Sequence, residues 1–500
     1  MSDVQRLGGA KKLSLLDAIA QSVGFMGPVF SIAFLVPLLV GLNAAGKGAG
    51  TAVPLAVLIA AVGIFGLGWI IAQYAKKIHA AGSLYDYVTD GLGGRMGGAS
   101  GTLYYVGILG LGAGILVMVA GTIHDTLMLE FEFDGIPEFG WDIILLVLVA
   151  VILYFGVALS TRAQLILAMF SILVVLIFFI SVIIQVGGNN DVAAAFNPSN
   201  ALNVSPEGEA GNPWVGILFG VLFGVLLFTG FETAANLGEE TAHPKRDIPR
   251  AVLISVIAIA GFYIIGSYAQ VAGFGFNIDN IATNAGAPLF GLAGPADEGG
   301  FGSVAIRRLL EIVVILDMIA VLIGCAVAAS RGIFAMSRDH RFPSVLARVS
   351  KRGTPLMASI VVVIVFIIVV LITAKTEFMS LATPDMPLPE YVSMFSWLST
   401  VGGFALACIY LLVAVGALRG LRDHPKQALL WIAAIVAILV TGGAIFGTVY
   451  QIGDTAKVAV IFDIVIFVIG LILAFAFPGK QTAVTDFSEL TPDEQRPQKL

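Results

Sequence analysis

The chain has 500 residues, 58% of them hydrophobic and 12% charged, with a mean hydropathy of +0.96 and a net charge of −6 at pH 7. Soluble domains carry roughly 25% charged residues, so this composition excludes a soluble enzyme, and with no basic excess no nucleic-acid partner is expected. The chain reads as an all-α polytopic membrane protein.

Twelve stretches can each supply the roughly 20 apolar residues that cross a bilayer as a helix: 14–41, 51–78, 98–126, 141–159, 161–187, 213–237, 248–274, 303–335, 355–374, 392–418, 428–449 and 456–477. With the N-terminus placed inside, every Lys and Arg except Lys47, Arg307, Arg308, Lys375 and Lys457 falls on its side. The positive-inside rule then puts both termini in the cytoplasm of a multi-pass cell-membrane protein, with the acids Glu130, Glu132, Asp134 and Glu138 facing outward. The charged start runs into a long span, so no cleavable signal peptide is expected.

The first span carries Val23-Gly24-Phe25-Met26-Gly27-Pro28 at what should be mid-bilayer depth. Proline lacks an N–H and clashes with the preceding turn, and glycine lowers the cost of irregular backbone. An unwound stretch at Val23 to Gly27 is predicted. Span 5 has no ionisable residue beyond Arg162 at its cytoplasmic end, and Ser171 is its nearest polar substitute. Span 6 has Gly216, Gly220 and Gly224 at four-residue spacing, which lets neighbouring helices approach; it is then interrupted at Phe228-Thr229-Gly230-Phe231-Glu232.

Interrupted segments at corresponding positions of two halves point to a midplane binding site. A half-helix N-terminus offers N–H donors and a half-helix C-terminus offers carbonyls. Two facing breaks can therefore hold a zwitterion. Amides of Gly24, Phe25, Met26 and Gly27 are expected to take a carboxylate, and carbonyls of Val225, Phe228 and Thr229 an ammonium. A carboxylate in hydrocarbon marks a solute or ion path, so Glu232 could load and release a proton as the cavity opens; its bland alternative is to accept the freed N–H groups of the second half-helix. Asp317 in span 8 is the other proton candidate, the alternatives being pairing with Arg307 or Arg308 or facing a vestibule. Glu311 stands four residues after Arg307, the spacing of a helix-surface ion pair.

Span 10 has a polar stripe of Ser393, Ser396, Trp397, Ser399 and Thr400 that could line a pocket. Cys325 and Cys408 lie inside predicted spans, so no disulfide is expected, and the five histidines show no zinc spacing. No metal or other cofactor is expected. The basic loop 331–352 is a topology signal that could also touch lipid headgroups.

Three segments carry a family resemblance. They are Phe228-Thr229-Gly230-Phe231-Glu232 with Glu239-Glu240 and His243-Pro244-Lys245-Arg246-Asp247-Ile248-Pro249-Arg250-Ala251; Ala80-Ala81-Gly82-Ser83-Leu84-Tyr85-Asp86-Tyr87; and Ser330-Arg331-Gly332-Ile333-Phe334-Ala335-Met336-Ser337-Arg338-Asp339, continuing to Gly353-Thr354-Pro355. Together they resemble the sixth span and the loops after the second and eighth spans of the amino acid–polyamine–organocation permeases. The resemblance implies a leucine-transporter-type fold: a 5+5 inverted repeat with broken first and sixth helices, two peripheral helices, and alternating access. It implies carboxylate capture at 24–27, amine capture at Phe228 and Thr229, and an aromatic gate near Phe228 or Phe231. The family's first-span Gly-x-Gly pattern stands here as Gly24-Phe25-Met26-Gly27-Pro28.

The implied division is a cytoplasmic segment 1–13, a first repeat 14–187, an extracellular loop 188–212, a second repeat 213–418, two further helices within 419–478, and a disordered cytoplasmic tail 479–500. The expected function is secondary transport of a small, neutral amino acid, by a monomer or homodimer, with a cationic amino acid, polyamine or other amine as the alternative substrate. A proton is favoured over sodium as the coupling ion, because span 8 offers no hydroxyl from Ala320 to Ala329 and hard cations want oxygen ligands. A channel would need a continuous polar pore, a sensor an output domain and an enzyme a clustered catalytic set, and the chain suggests none of these.

Overall fold

The computed structural model describes residues 13–42, 47–78, 82–155, 161–203, 210–238, 241–284, 287–350, 352–375, 389–450 and 454–479. The expected N-terminal segment up to residue 12, the acidic tail from residue 480, Glu239-Glu240, and Ala80 and Ala81 lie outside the described residues.

In chain order the helices are α1 (Leu15–Met26), α2 (Pro28–Phe34), α3 (Val36–Val40), α4 (Val53–Lys77), α5 (Leu84–Leu92), α6 (Gly94–Phe131), α7 (Glu138–Phe155), α8 (Thr161–Val186), α9 (Val192–Ala195), α10 (Pro213–Leu227), α11 (Pro244–Gly273), α12 (Ile278–Ala282), α13 (Pro288–Ala293), α14 (Val304–Arg338), α15 (Leu356–Thr373), α16 (Glu390–Gly420), α17 (Gln427–Val449) and α18 (Asp454–Ala476). A 3-10 segment, Phe231–Leu237, follows α10. Twelve spans among the described residues are long and apolar enough to cross a membrane. In hydrocarbon each backbone N–H and C=O must be satisfied inside the protein, and for these uniformly apolar stretches a helix is the local solution.

Burial sorts the spans into centre and rim. The most apolar stretches of spans 1 and 6 are 83% and 89% buried, against 22% for span 4 and 28% for spans 5 and 12. Each of the first four spans packs on its counterpart five spans on: α1 on the 3-10 segment of span 6, α4 on α11, α6 on α14 and α7 on α15. The interrupted spans thus lie inside the bundle.

The glycine row of span 6 is used for close approach. A Cβ on Gly216 would lie 2.0 Å from the Leu202 carbonyl oxygen, and one on Gly224 would lie 2.9 Å from the Ala60 Cβ of α4. The neighbour at Gly216 belongs to a small antiparallel pair, β1 (Lys47–Gly48) with β2 (Leu202–Asn203), which ties the segment after span 1 to the segment after span 5. At the other end, α1 starts in a capping box: Ser14 N–H donates to Asp17 Oδ2 at 2.9 Å and Asp17 N–H to Ser14 Oγ at 3.4 Å. The chain just before it joins the segment after span 6, where Ala242 N–H donates to the Leu13 carbonyl at 2.9 Å.

One expected pairing is corrected. Arg307 and Arg308 pair with neither Glu311 nor Asp317; both reach Glu130 at the end of α6, at 3.0 and 2.6 Å, and Arg307 also reaches Glu298 at 2.6 Å. These contacts enclose the Glu130 side chain, which is 7% exposed. The bidentate reach of two guanidiniums to one carboxylate wins over an i,i+4 pair along a helix.

Candidate binding site at the two interrupted spans

Span 1 leaves the helix at one residue, Gly27, with φ 51° and ψ 65°. Val23, Gly24, Phe25 and Met26 remain helical, so the expected unwound stretch contracts to its last member. Pro28 explains the position: it has no N–H to continue the ladder but suits the first residue of a new helix. Gly27 N–H still donates to the Val23 carbonyl at 3.2 Å, and Ser31 N–H to the Gly27 carbonyl at 2.8 Å.

The two remaining free amides of α2 meet an acid. Val29 and Phe30 N–H donate to the same oxygen of Asp317, at 2.9 and 2.8 Å. Asp317 is 3% exposed and stands thirteen residues into the 35-residue α14, about 20 Å along the axis and so near mid-depth. The sequence pointed to Asp317 through its cost in hydrocarbon, and the structure places it against the break in span 1.

In span 6, α10 ends at Leu227, Gly230 turns the chain with φ 111°, and the 3-10 segment follows. Val225 and Phe228 carbonyls accept the N–H groups of Phe228 and Phe231 at 3.1 and 3.2 Å. Glu232 is fully buried. It accepts Gly230 N–H at 3.0 Å through one oxygen and the Tyr104 hydroxyl, from α6, at 3.1 Å through the other; Tyr410 of α16 faces it as well. The acceptor role considered for Glu232 is thus present, joined to a tyrosine pair from spans 3 and 10.

The two breaks touch. Ser22 Oγ donates to the Phe231 carbonyl at 2.9 Å and accepts Ala234 N–H at 3.3 Å, while Phe25 packs so tightly on Gly230 that a Cβ there would lie 2.4 Å from the ring. Tyr263 of α11 lies beside both: its hydroxyl donates to the Leu227 carbonyl at 2.7 Å and its ring meets Phe228 edge-on at 5.1 Å. On the side of α2 and α3, Phe30 meets Phe395 at 5.6 Å and Phe34 meets Phe290 at 6.0 Å.

Of the residues expected at the site, Phe25, Gly230, Phe231 and Glu232 come together directly, with Thr229 and Phe228 buried beside them. Ser396, Ser399 and Thr400 of span 10 are buried too, but the Thr400 hydroxyl bonds back to the Ser396 carbonyl at 3.0 Å. Ser22, Tyr104, Tyr263 and Tyr410 are not singled out by the sequence, because a lone hydroxyl residue in an apolar helix looks like packing. Asp463 in α18, 1% exposed, is a further lone acid in an apolar span, a signal that the sequence does carry. Among the described residues no three His, Cys, Asp or Glu side chains gather as a metal site, and Cys325 and Cys408 are free.

Residues 13–483 match the model of the family described as amino acid permease. The chain is 26% identical over 352 residues to the branched-chain amino acid permease BcaP of Bacillus subtilis (strain 168), covering 63% of this chain and 66% of that protein. It is 25% identical to the lysine-specific permease LysP of Lactococcus lactis subsp. cremoris (strain MG1363), covering 60% and 58%, and 26% identical to the vacuolar cationic amino acid transporter 4 of Arabidopsis thaliana, covering 69% and 55%. The matches thus span between about half and two thirds of the length of these relatives. A solved manganese transporter of Eremococcus coleocola, in a mutant form, superposes with a TM-score of 0.56 over 96% of this chain and 98% of that one; at 14% identity this is a likeness of fold alone.

Proposed function

Because the chain belongs to the amino acid permease family, we propose that it is a secondary active permease moving a small amino acid or related amine across the cell membrane by alternating access, with both termini cytoplasmic. The observation that carries the reading is the contact between the two interrupted spans through Ser22, Phe25 and Gly230. A ligand held there would touch α1, α2, α10 and the 3-10 segment at once, so small movements of one group of helices against the other would open it to either side.

Proton coupling is assigned to Glu232. The carboxylate joins span 6 to span 3 through the Tyr104 hydroxyl, with Tyr410 of span 10 facing it. Movement between those helices would change the number of donors facing it, and with that its proton affinity. Sodium fits less well, since span 8 offers no hydroxyl from Ala320 to Ala329 and hard cations want oxygen ligands.

The test is uptake of labelled amino acids and amines into proteoliposomes, with and without an imposed pH gradient. Saturable uptake and counterflow are expected for a carrier; linear, non-saturating flux contradicts it. Glu232→Gln, which keeps an acceptor for Gly230 N–H, should flatten the pH profile and leave counterflow intact. An unchanged profile removes the proton role.

A further inference from the structure

We infer that the carried solute is an organic amine cation without a carboxylate, Asp317 supplying from the protein the negative group that an amino acid would bring. The inference rests on the permease reading above and narrows its substrate class.

The donors at the break in span 1 are all spent. Pro28 has no N–H, Val29 and Phe30 donate to Asp317, Ser31 donates to the Gly27 carbonyl and Gly27 to the Val23 carbonyl. A ligand carboxylate would have to displace Asp317 from two charge-assisted hydrogen bonds and strand it nearby, because Gly27 and Val321 pack against it. A Cβ on Gly27 would lie 1.9 Å from Val321 and 3.5 Å from the Asp317 oxygen.

What the break presents instead is negative. Pro28 leaves the Gly24 carbonyl without the amide four residues on, and turning Val29 N–H toward Asp317 does the same to the Phe25 carbonyl. No described cationic side chain pairs with Asp317: Arg307 and Arg308, about two and a half turns away on α14, are held by Glu130. A buried carboxylate with two hydrogen bonds and no counter-charge is the half of an ion pair that a cation completes.

The surroundings favour ammonium over a metal ion. Tyr263, whose hydroxyl lies beside Ser31 and near Asp317, meets Phe228 edge-on at 5.1 Å, so aromatic rings stand between the acid and the break in span 6. Rings and one carboxylate suit an organic cation. A hard divalent ion asks for six or more oxygens, and the described residues gather no three metal-ligating side chains anywhere. A second amine group would look to the break in span 6, where the carbonyls of Val225 and Phe228 each accept one backbone N–H and keep a second lone pair.

The experiment compares amine and amino acid pairs of one carbon skeleton on the full chain in proteoliposomes and in detergent: 2-methylpropylamine with valine, and butane-1,4-diamine with ornithine. Saturable uptake of the amines, at least about tenfold preferred over their carboxylated partners, is the expected result, one ion-pair contact being worth that much or more. Asp317→Asn still accepts from Val29 and Phe30, so its thermal unfolding should match that of the parent chain while amine affinity falls roughly thirtyfold or more; unchanged amine affinity overturns the inference. Uptake of valine or ornithine without transport or competition by the amines overturns it while the permease reading stands. Amines that shift the unfolding temperature but are never transported sink the permease reading and leave the assigned ligand class. No binding and no uptake of either class overturns both.

Discussion

At the scale of single residues, placement of charge decides what each acid or base can do. Glu232 and Asp317 each accept backbone N–H groups just after a break, one from its own segment and one from across the bundle. Lys47 is the opposite case: an ammonium 4% exposed, its Nζ without a hydrogen-bond partner among the described residues, lying 5.7 Å from the centre of the Tyr450 ring. Burial pulls its pKa down to about 8 from 10.5. The folded chain therefore binds fewer protons than the unfolded one between those values, and stability rises with pH across that window. The wild-type chain should gain thermal stability relative to Lys47→Met as the pH rises from 8 toward 10.5, where the folded lysine is neutral while the unfolded one is still partly charged. Parallel pH curves for the two proteins would show that the ammonium is hydrated after all.

At the scale of elements, the breaks are where sequence and structure differ most instructively. The spans themselves were readable because an apolar stretch of that length has one low-energy form in lipid. Gly27-Pro28 and Gly230 were readable because their chemistry suits a turn; the extent of the first break was not, since Gly24 to Met26 stay in helical conformation even where their carbonyls lose the amide four residues on. Partners of the site were hidden for a different reason. Ser22 meets residues more than two hundred positions away and Tyr104 meets Glu232 across 128, and no pattern within a window records such distances. Gly230 gives the test. Its φ of 111° disfavours any side chain, and a Cβ would press on Phe25. Gly230→Ala should lower thermal stability by about 1–2 kcal/mol and weaken ligand binding more than tenfold; adding Phe25→Ala removes the steric part and should restore some stability but not binding. If Gly230→Ala binds normally, the ligand does not sit at this break.

At the scale of the whole molecule, the same spans that meet at the centre are tied at both ends. Arg307 and Arg308 join α14 to α6 through Glu130 at one end. At the other, the Tyr85 hydroxyl of α5 donates to Asp339, just past α14, at 3.0 Å, and the Tyr105 hydroxyl donates to the Gly82 carbonyl at 2.9 Å. Burial, then the carboxylates of Asp339 and Asp86, push the Tyr85 phenol up, so it remains a donor throughout the physiological range. If α5 and the end of α14 part when an alternating carrier opens on that side, this tie stabilises the closed state. Removing it costs the closed state about 1 kcal/mol, roughly a fivefold shift of the opening equilibrium. Tyr85→Phe should accordingly raise apparent affinity for substrate offered from the side of α5 and lower it from the opposite side, a population shift that a simple loss of stability does not produce. Uptake measured from each face of oriented vesicles separates the two, and equal losses on both faces would reduce Tyr85 to a packing residue.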